Sequence, residues 1–510
     1  MTEKLRDLVR GAVTACGSRP DVAAGVAAGV LYLLLPGMLG LDYRLVAQRG
    51  PYQLLWLNLL GAHYRLHIET PKPLSVLLAG LLGSGPAFYI LTCAVVGLCV
   101  ALVVRLGKAI SGSYWPGAVA AVTVLALRGD IVYYILIGGT EAFHIALVLL
   151  AVVALASGRF RAAALAVFGA CLQRPEAWSL APIPLLLALA TRRRFNLLLL
   201  LPFIAPIVWV VFDRAMTGDW FYSLHETAYY FVAAGLSTSS PGSFWGEMTV
   251  ELAKLAGDVP FVVGMAGLGI WLWKYTRGHA GVVAGDRGPS LRPAGQLTAA
   301  VGLALSLPLL ASWMASFSGH VLQMGRFHYP SVMLLTLLAT SVPFFLFSNR
   351  VPRWFVLVMS VLVGLSALAP REVARSIRMA RVDEIRATAY DPVADTVKQL
   401  IENGSAEVAI VSQRRLHYFC MLLGQVNSWK LLTVREVKNV AGTIPAATKS
   451  AVLAYYNQDE ISIPPTDSVI RWMVQAWQAP AVLETIALTP DSLGGVWFIK
   501  SACTSSMPAP

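Results

Sequence analysis

Eight residues able to move protons or hold anions crowd into positions 41–74, LDYRLVAQRGPYQLLWLNLLGAHYRLHIETPKPL: Asp42, Arg44, Arg49, His63, Arg65, His67, Glu69 and Lys72. Only 13% of the chain is charged, so this loop is polar out of proportion to its surroundings. Its carboxylates suit proton transfer, and its cations suit an anionic ligand. His63 and His67 stand at i and i+4, a metal-ligating spacing on a helix, but no third ligand accompanies them. Two further carboxylates, Glu141 and Glu176, sit in apolar surroundings, where an ionisable group is costly and defaults to a paired or functional role. Arg174 stands two residues from Glu176, so a structural ion pair there is an equal reading.

The elements that must position these groups are membrane helices. The chain has 510 residues and is 56% hydrophobic, whereas a soluble protein carries about 25% charged residues. The apolar runs are continuous rather than alternating, which excludes a β-barrel. Eleven spans are expected, at 22–41, 86–104, 115–127, 139–156, a short hairpin of 162–172 and 177–189, 196–212, 261–273, 297–314, 329–347 and 354–369. Lys4, Arg6, Arg10 and Arg19 put the N-terminus in the cytoplasm. The loop 42–85 then lies outside, with 51–63 and 73–82 as interfacial helices. Each inner connection carries Lys or Arg, and the acids between 22 and 285 fall outside or at outer helix ends. The hairpin arms are too short for a full crossing, so the tip Gln173-Arg174-Pro175-Glu176 is expected to be sunk in protein. The net charge of +12 reflects cytoplasmic loops rather than nucleic-acid binding.

After 370 the apolar runs shorten to strand length at 407–411, 451–456 and 496–500, alternating with helix-like stretches such as 391–403. Residues 371–510 read as an extracytoplasmic α/β domain with a disordered tail, set on a membrane domain spanning 1–370. The arginines at 371, 375, 378, 381 and 386 would then lie outside, a conflict that the charge rule tolerates in long translocated domains. Three of the six cysteines (Cys93, Cys99, Cys171) fall in apolar runs, while Cys420 and Cys503 are left as an open disulfide pair.

The order of five fragments resembles the GT-C superfamily of integral membrane glycosyltransferases, which includes protein O-mannosyltransferases and aminoarabinose transferases. They are Leu41-Asp42-Tyr43, Thr70-Pro71-Lys72-Pro73-Leu74, Gly139-Thr140-Glu141, Arg174-Pro175-Glu176 and Arg326-Phe327-His328-Tyr329-Pro330. The resemblance covers about residues 20–370. It implies transfer of a sugar, a hexose or a pentose, from a polyprenyl-phosphate carrier to a glycan, lipid or protein acceptor on the outer face, with inversion. Asp42 would be the base that takes the acceptor proton. Relatives place a second acid after the first, but here Tyr43 follows, so Glu69 stands in for it. Lys72, Arg326, Arg174 and His328 would stabilise the departing phosphate, with His320 a further donor. Tyr43, Glu141 and Glu176 would contact substrate. No protein metal site is expected; a divalent metal is left open. His144 reads as a packed intramembrane residue. The alternative is a transporter or flippase of lipid-linked or polar solutes, which would need ionisable groups at the bilayer midplane and matched broken helices.

Overall fold

A computed structural model describes residues 19–41, 49–61, 72–82, 85–136, 139–191, 193, 195–225, 244–280, 293–316, 328–347, 351–367, 373–378, 395–411, 431–433, 450–456, 481–488 and 494–501. Its helices are α1 (Pro20–Leu39), α2 (Arg49–Leu59), α3 (Pro73–Leu82), α4 (Gly85–Ser111), α5 (Trp115–Leu127), α6 (Gly129–Leu136), α7 (Glu141–Ala156) and α8 (Phe160–Gln173). A 3-10 turn (Pro175–Leu180) leads to α9 (Pro182–Ala190), α10 (Leu201–Thr217), α11 (Phe244–Ala256), α12 (Asp258–Ala280), α13 (Pro293–Ser316), α14 (Tyr329–Phe347) and α15 (Arg353–Leu365). Proline opens α1, α5, α9 and α10 at the first or second position. Its missing N–H has no partner to lose there, and its fixed φ suits the first turn.

Four described helices are long and apolar enough to cross a membrane: Pro20–Leu39, Pro86–Ser111, Leu197–Thr217 and Tyr329–Phe347. A fifth span would be the α11–α12 pair, which bends by 107°. The remaining expected spans correspond to shorter helices or lie partly outside the described residues. At 16 residues, α7 rises only about 24 Å, less than the roughly 30 Å hydrocarbon core. Its polar start, Thr140 and Glu141, is buried in protein.

The centre of the bundle is α14, whose apolar window is 83% buried. Thr340 Oγ1 donates to the Pro116 carbonyl at 3.0 Å, and Ser360 Oγ to the Thr340 carbonyl at 2.8 Å, tying α14 to α5 and α15. Helix α1 is the opposite case, only 17% buried, and it meets α4 backbone to backbone. A Cβ on Gly97 would stand 2.6 Å from the Gly25 carbonyl oxygen, and one on Gly29 3.2 Å from the Cys93 oxygen. Beside this contact Tyr89 donates its hydroxyl to the Tyr32 carbonyl at 2.7 Å, and Tyr32 donates to the Leu125 carbonyl. Gly97→Leu is therefore expected to cost about 1–3 kcal/mol of stability or more, since backbone rather than side chain must yield. A fall in the thermal midpoint of the detergent-solubilised protein checks this; an unchanged midpoint would mean the helices do not meet there.

The C-terminal part holds a helix at 395–402 and a five-stranded sheet in the order β2-β1-β3-β5-β4. The strands are β1 (Val408–Val411), β2 (Leu431–Thr433), β3 (Ser450–Tyr456), β4 (Ala481–Leu488) and β5 (Gly494–Ser501). β1 runs parallel to β2 and β3, while β5 pairs antiparallel with β3 and β4. All four residues of β1 are buried, as expected for a strand with neighbours on both sides. Val397, Ile401, Ala409, Val411 and Val452 share one apolar cluster with Tyr52, Leu54 and Leu55 of α2 and Val76 and Ala79 of α3. The sheet and its helix thus share an apolar cluster with the two short helices of the first loop.

Candidate functional site

The site is assembled where α7 begins and α8 ends. Arg174 is the residue after α8, and Glu141 is the first residue of α7. Arg174 Nη2 donates to Glu141 Oε1 at 2.8 Å, with side-chain exposures of 4% and 3%. A cation at a helix C-terminus and an acid at a helix N-terminus each complement the helix dipole, so both helices favour this pair. The pairing of Arg174 is therefore with Glu141 across 33 positions, not with Glu176 as the alternative from sequence would have it. Gly139 makes the turn possible: a Cβ there would lie 2.5 Å from Glu141 Oε2 and 2.6 Å from the Tyr134 carbonyl oxygen.

Lys72 joins from the first loop. It immediately precedes α3, its carbonyl accepting from Val76 N at 3.0 Å, and its Nζ donates to Thr140 Oγ1 at 2.6 Å. A second bridge runs alongside. Ser75 Oγ donates to Gln173 Oε1 at 3.0 Å, and Gln173 Nε2 donates to the Thr140 carbonyl at 3.3 Å. Thr140 and Gln173 are fully buried. The hairpin tip is fixed from behind, since Trp178 and Trp209 both donate their indole N–H to the Cys171 carbonyl, at 3.2 and 2.8 Å. Its expected burial is what Gln173 and Arg174 display.

Two histidines complete the cluster. His144 lies three residues after Glu141, hence on the same face of α7, and His328 immediately precedes α14. Both are buried. The charge of Arg174 acts on both imidazoles, and that of Lys72 on His144. Burial first, then Arg174, pulls the His328 imidazole down to about 4. Among the described residues, buried His144 Nδ1, His328 Nδ1 and Glu176 Oε2 have no hydrogen-bond partner.

Of the candidate site residues named from sequence, Lys72, Glu141, Arg174, Glu176 and His328 are described: Lys72 meets Thr140, Arg174 meets Glu141, and His328 is buried where the charge of Arg174 acts on it. Glu176 is half-buried in the 3-10 turn two residues beyond Arg174. Asp42, Tyr43, Glu69 and Arg326 lie outside the described residues, as do His63, His67, His320, Cys420 and Cys503. Leu41, however, packs against the cluster of Val132 and Leu136 on α6, the helix that precedes Gly139 in the chain. Sequence reading missed Ser75 and missed Thr140 as the lysine's partner. His144, expected as a packed intramembrane residue, is buried as expected, and its i, i+3 spacing puts it on the Glu141 face of α7. Among the described residues no three His, Cys, Asp or Glu are grouped to hold a metal ion.

No protein-family model and no curated protein sequence matches the chain. Among solved structures it is similar to ArnT from Cupriavidus metallidurans bound to undecaprenyl phosphate, at 14% identity and a TM-score of 0.44, covering 97% of this chain and 100% of that one. The apo state of that ArnT gives 14% identity and a TM-score of 0.47 over the same shares. The Archaeoglobus fulgidus oligosaccharyltransferase tethered with an acceptor peptide gives 11% and 0.47, over 92% of this chain and 70% of that one.

Proposed function

We propose that this chain is a membrane glycosyltransferase that moves a sugar from a polyprenyl-phosphate carrier to an acceptor glycan, lipid or protein. The observation that carries the reading is the buried cluster of Lys72, Thr140, Glu141, Arg174 and His328 at one end of an apolar helical bundle. A lipid-linked phosphate needs both halves of that arrangement, apolar surface for the chain and fixed cations for the head. The sequence resemblance to GT-C enzymes, which runs through these same fragments, points the same way.

The chemistry is an inverting displacement. The acceptor hydroxyl oxygen forms a bond to the anomeric carbon as the bond from that carbon to the phosphate oxygen breaks. The hydroxyl proton passes to a carboxylate, which we assign to Asp42 with Glu69 in support. The transition state is oxocarbenium-like. The leaving phosphate takes up negative charge, and Lys72 is the group we assign to it, with Arg174 and Arg326. Arg174 and Glu141 hold the floor of the site, and Tyr43 and Glu176 contact substrate.

The site would face outward. The helix ends opposite the cluster carry Arg105, Lys108, Arg159, Arg161, Arg193 and Arg353, a distribution that supports a cytoplasmic location for those ends. Eleven crossings would then put the N-terminus in the cytoplasm and residues 371–510 outside.

The test is transfer of radiolabelled sugar from polyprenyl-phosphate hexose or pentose donors to envelope acceptors by the purified protein in liposomes. Asp42→Asn is expected to lower transfer by about 10²–10⁴-fold, the usual worth of a general base. Full activity in that variant would remove the base assignment. Movement of the lipid-linked sugar across the vesicle without a new glycosidic bond would replace the enzyme with a transporter.

A further inference from the structure

We infer that His144 and His328 read the sugar ring of the donor through its hydroxyl groups, while the cations beside them hold the phosphate; this rests on the glycosyl-transfer reading above. The two residues come from separate elements, the first turn of α7 and the entry to α14, yet these helices pack against each other and the charge of Arg174 acts on both imidazoles. Their relative exposures are 5% and 2%, and in each the buried Nδ1 has no hydrogen-bond partner. A buried polar atom in that condition is costly, and native proteins seldom keep two side by side without a ligand to satisfy them.

The chemistry of the missing partner follows from the atoms. A phosphate oxygen at the donor only accepts hydrogen bonds, and Lys72 and Arg174 are the donors suited to it. A neutral imidazole carries one donor and one acceptor. Its match is a group that both gives and takes a proton in hydrogen bonding, which is what a sugar hydroxyl does. Glu176 Oε2, two residues past Arg174 and also buried without a partner, is an acceptor that a phosphate would repel and a hydroxyl would satisfy. The two imidazole nitrogens, on helices that pack against each other, describe a polyol site beside an anion site.

The experiment measures affinity of the detergent-purified full chain for undecaprenyl phosphate and for polyprenyl-phosphate mannose and arabinose. The quantity read is the ratio of loaded to bare carrier affinity for the preferred sugar. His144→Phe and His328→Phe keep a ring without nitrogen, and each is expected to lower that ratio about tenfold, the worth of a lost buried hydrogen bond. His144→Asn and His328→Asn, which keep an amide near the Nδ1 position, should hold it near the parent value. Lys72→Ala should weaken both affinities and leave the ratio. If His144→Phe does not fold, His144→Gln, with its amide moved to the Nε2 side, takes its place and should also lower the ratio. An unchanged ratio in the Phe variants, or equal losses for bare and loaded carrier, overturns the inference alone. A parent protein that binds no polyprenyl phosphate overturns the glycosyltransferase reading and this inference with it.

Discussion

Lys72→Ala is expected to lower kcat for sugar transfer by about 10²–10³-fold, the range seen when one fixed charge-stabilising donor is removed from an active site. The side chain is half-buried and its Nζ is held 2.6 Å from Thr140 Oγ1, so it meets a departing phosphate already oriented. A pre-set donor needs no reorganisation as the charge develops. Lys72→Arg should recover only part of the rate, because a planar guanidinium replaces a compact ammonium at a spot shaped by one hydroxyl. The thermal midpoint should move little in either variant, since the residue lies at a helix start rather than in the apolar core. Parent-like kcat in Lys72→Ala, with donor binding intact, would move the phosphate site elsewhere.

Arg174→Ala is expected to be the most destabilising single change at the site. It leaves the Glu141 carboxylate buried at 3% exposure without its guanidinium, and breaking one side of a buried pair typically costs about 3–5 kcal/mol. Arg174→Met combined with Glu141→Leu removes both charges and should recover most of that loss, often to parent stability. Recovered stability with transfer still absent would show that the pair serves the site rather than the fold. A tolerated Arg174→Ala, with an unchanged midpoint, would mean the pair is not buried as described. Thermal unfolding in detergent, run beside the transfer assay, separates these outcomes.

Much of the helical framework was legible. The interfacial segment at 73–82 and the late span at 329–347 coincide with α3 and α14, because each begins at or next to a proline and runs on without a charge. Strand-length runs at 407–411, 451–456 and 496–500 fall on β1, β3 and β5. β2 and β4 escaped, the first being three residues long and the second an edge strand interrupted by Glu484. The span expected at 115–127 ends where α5 ends, with Arg128 extended after it. Hidden from the sequence is the partner of that arginine: its buried guanidinium donates to the Lys254 carbonyl at 2.7 Å, capping the end of α11. That bond joins residues 126 apart, a relation with no periodic trace.

The site divides along the same line. The fragments carrying its charges stood out because charge is rare in this chain. Their partners did not, since Lys72 meets Thr140 across 68 positions and Arg174 meets Glu141 across 33. Local spacing offered Glu176 as the nearest acid to Arg174. Tertiary packing overruled it, because the end of α8 and the start of α7 lie against each other.

The exposure of α1 bears on how the protein is made. Lipid tails are as apolar as the bundle, so hydrophobicity gives this helix no reason to leave the one for the other. Its apolar residues Val26, Val30, Leu34 and Met38 already face outward, and its contact with α4 depends on close backbone approach at Gly25, Gly29 and Gly97. Such a helix can enter the bilayer alone and dock when its groove has formed.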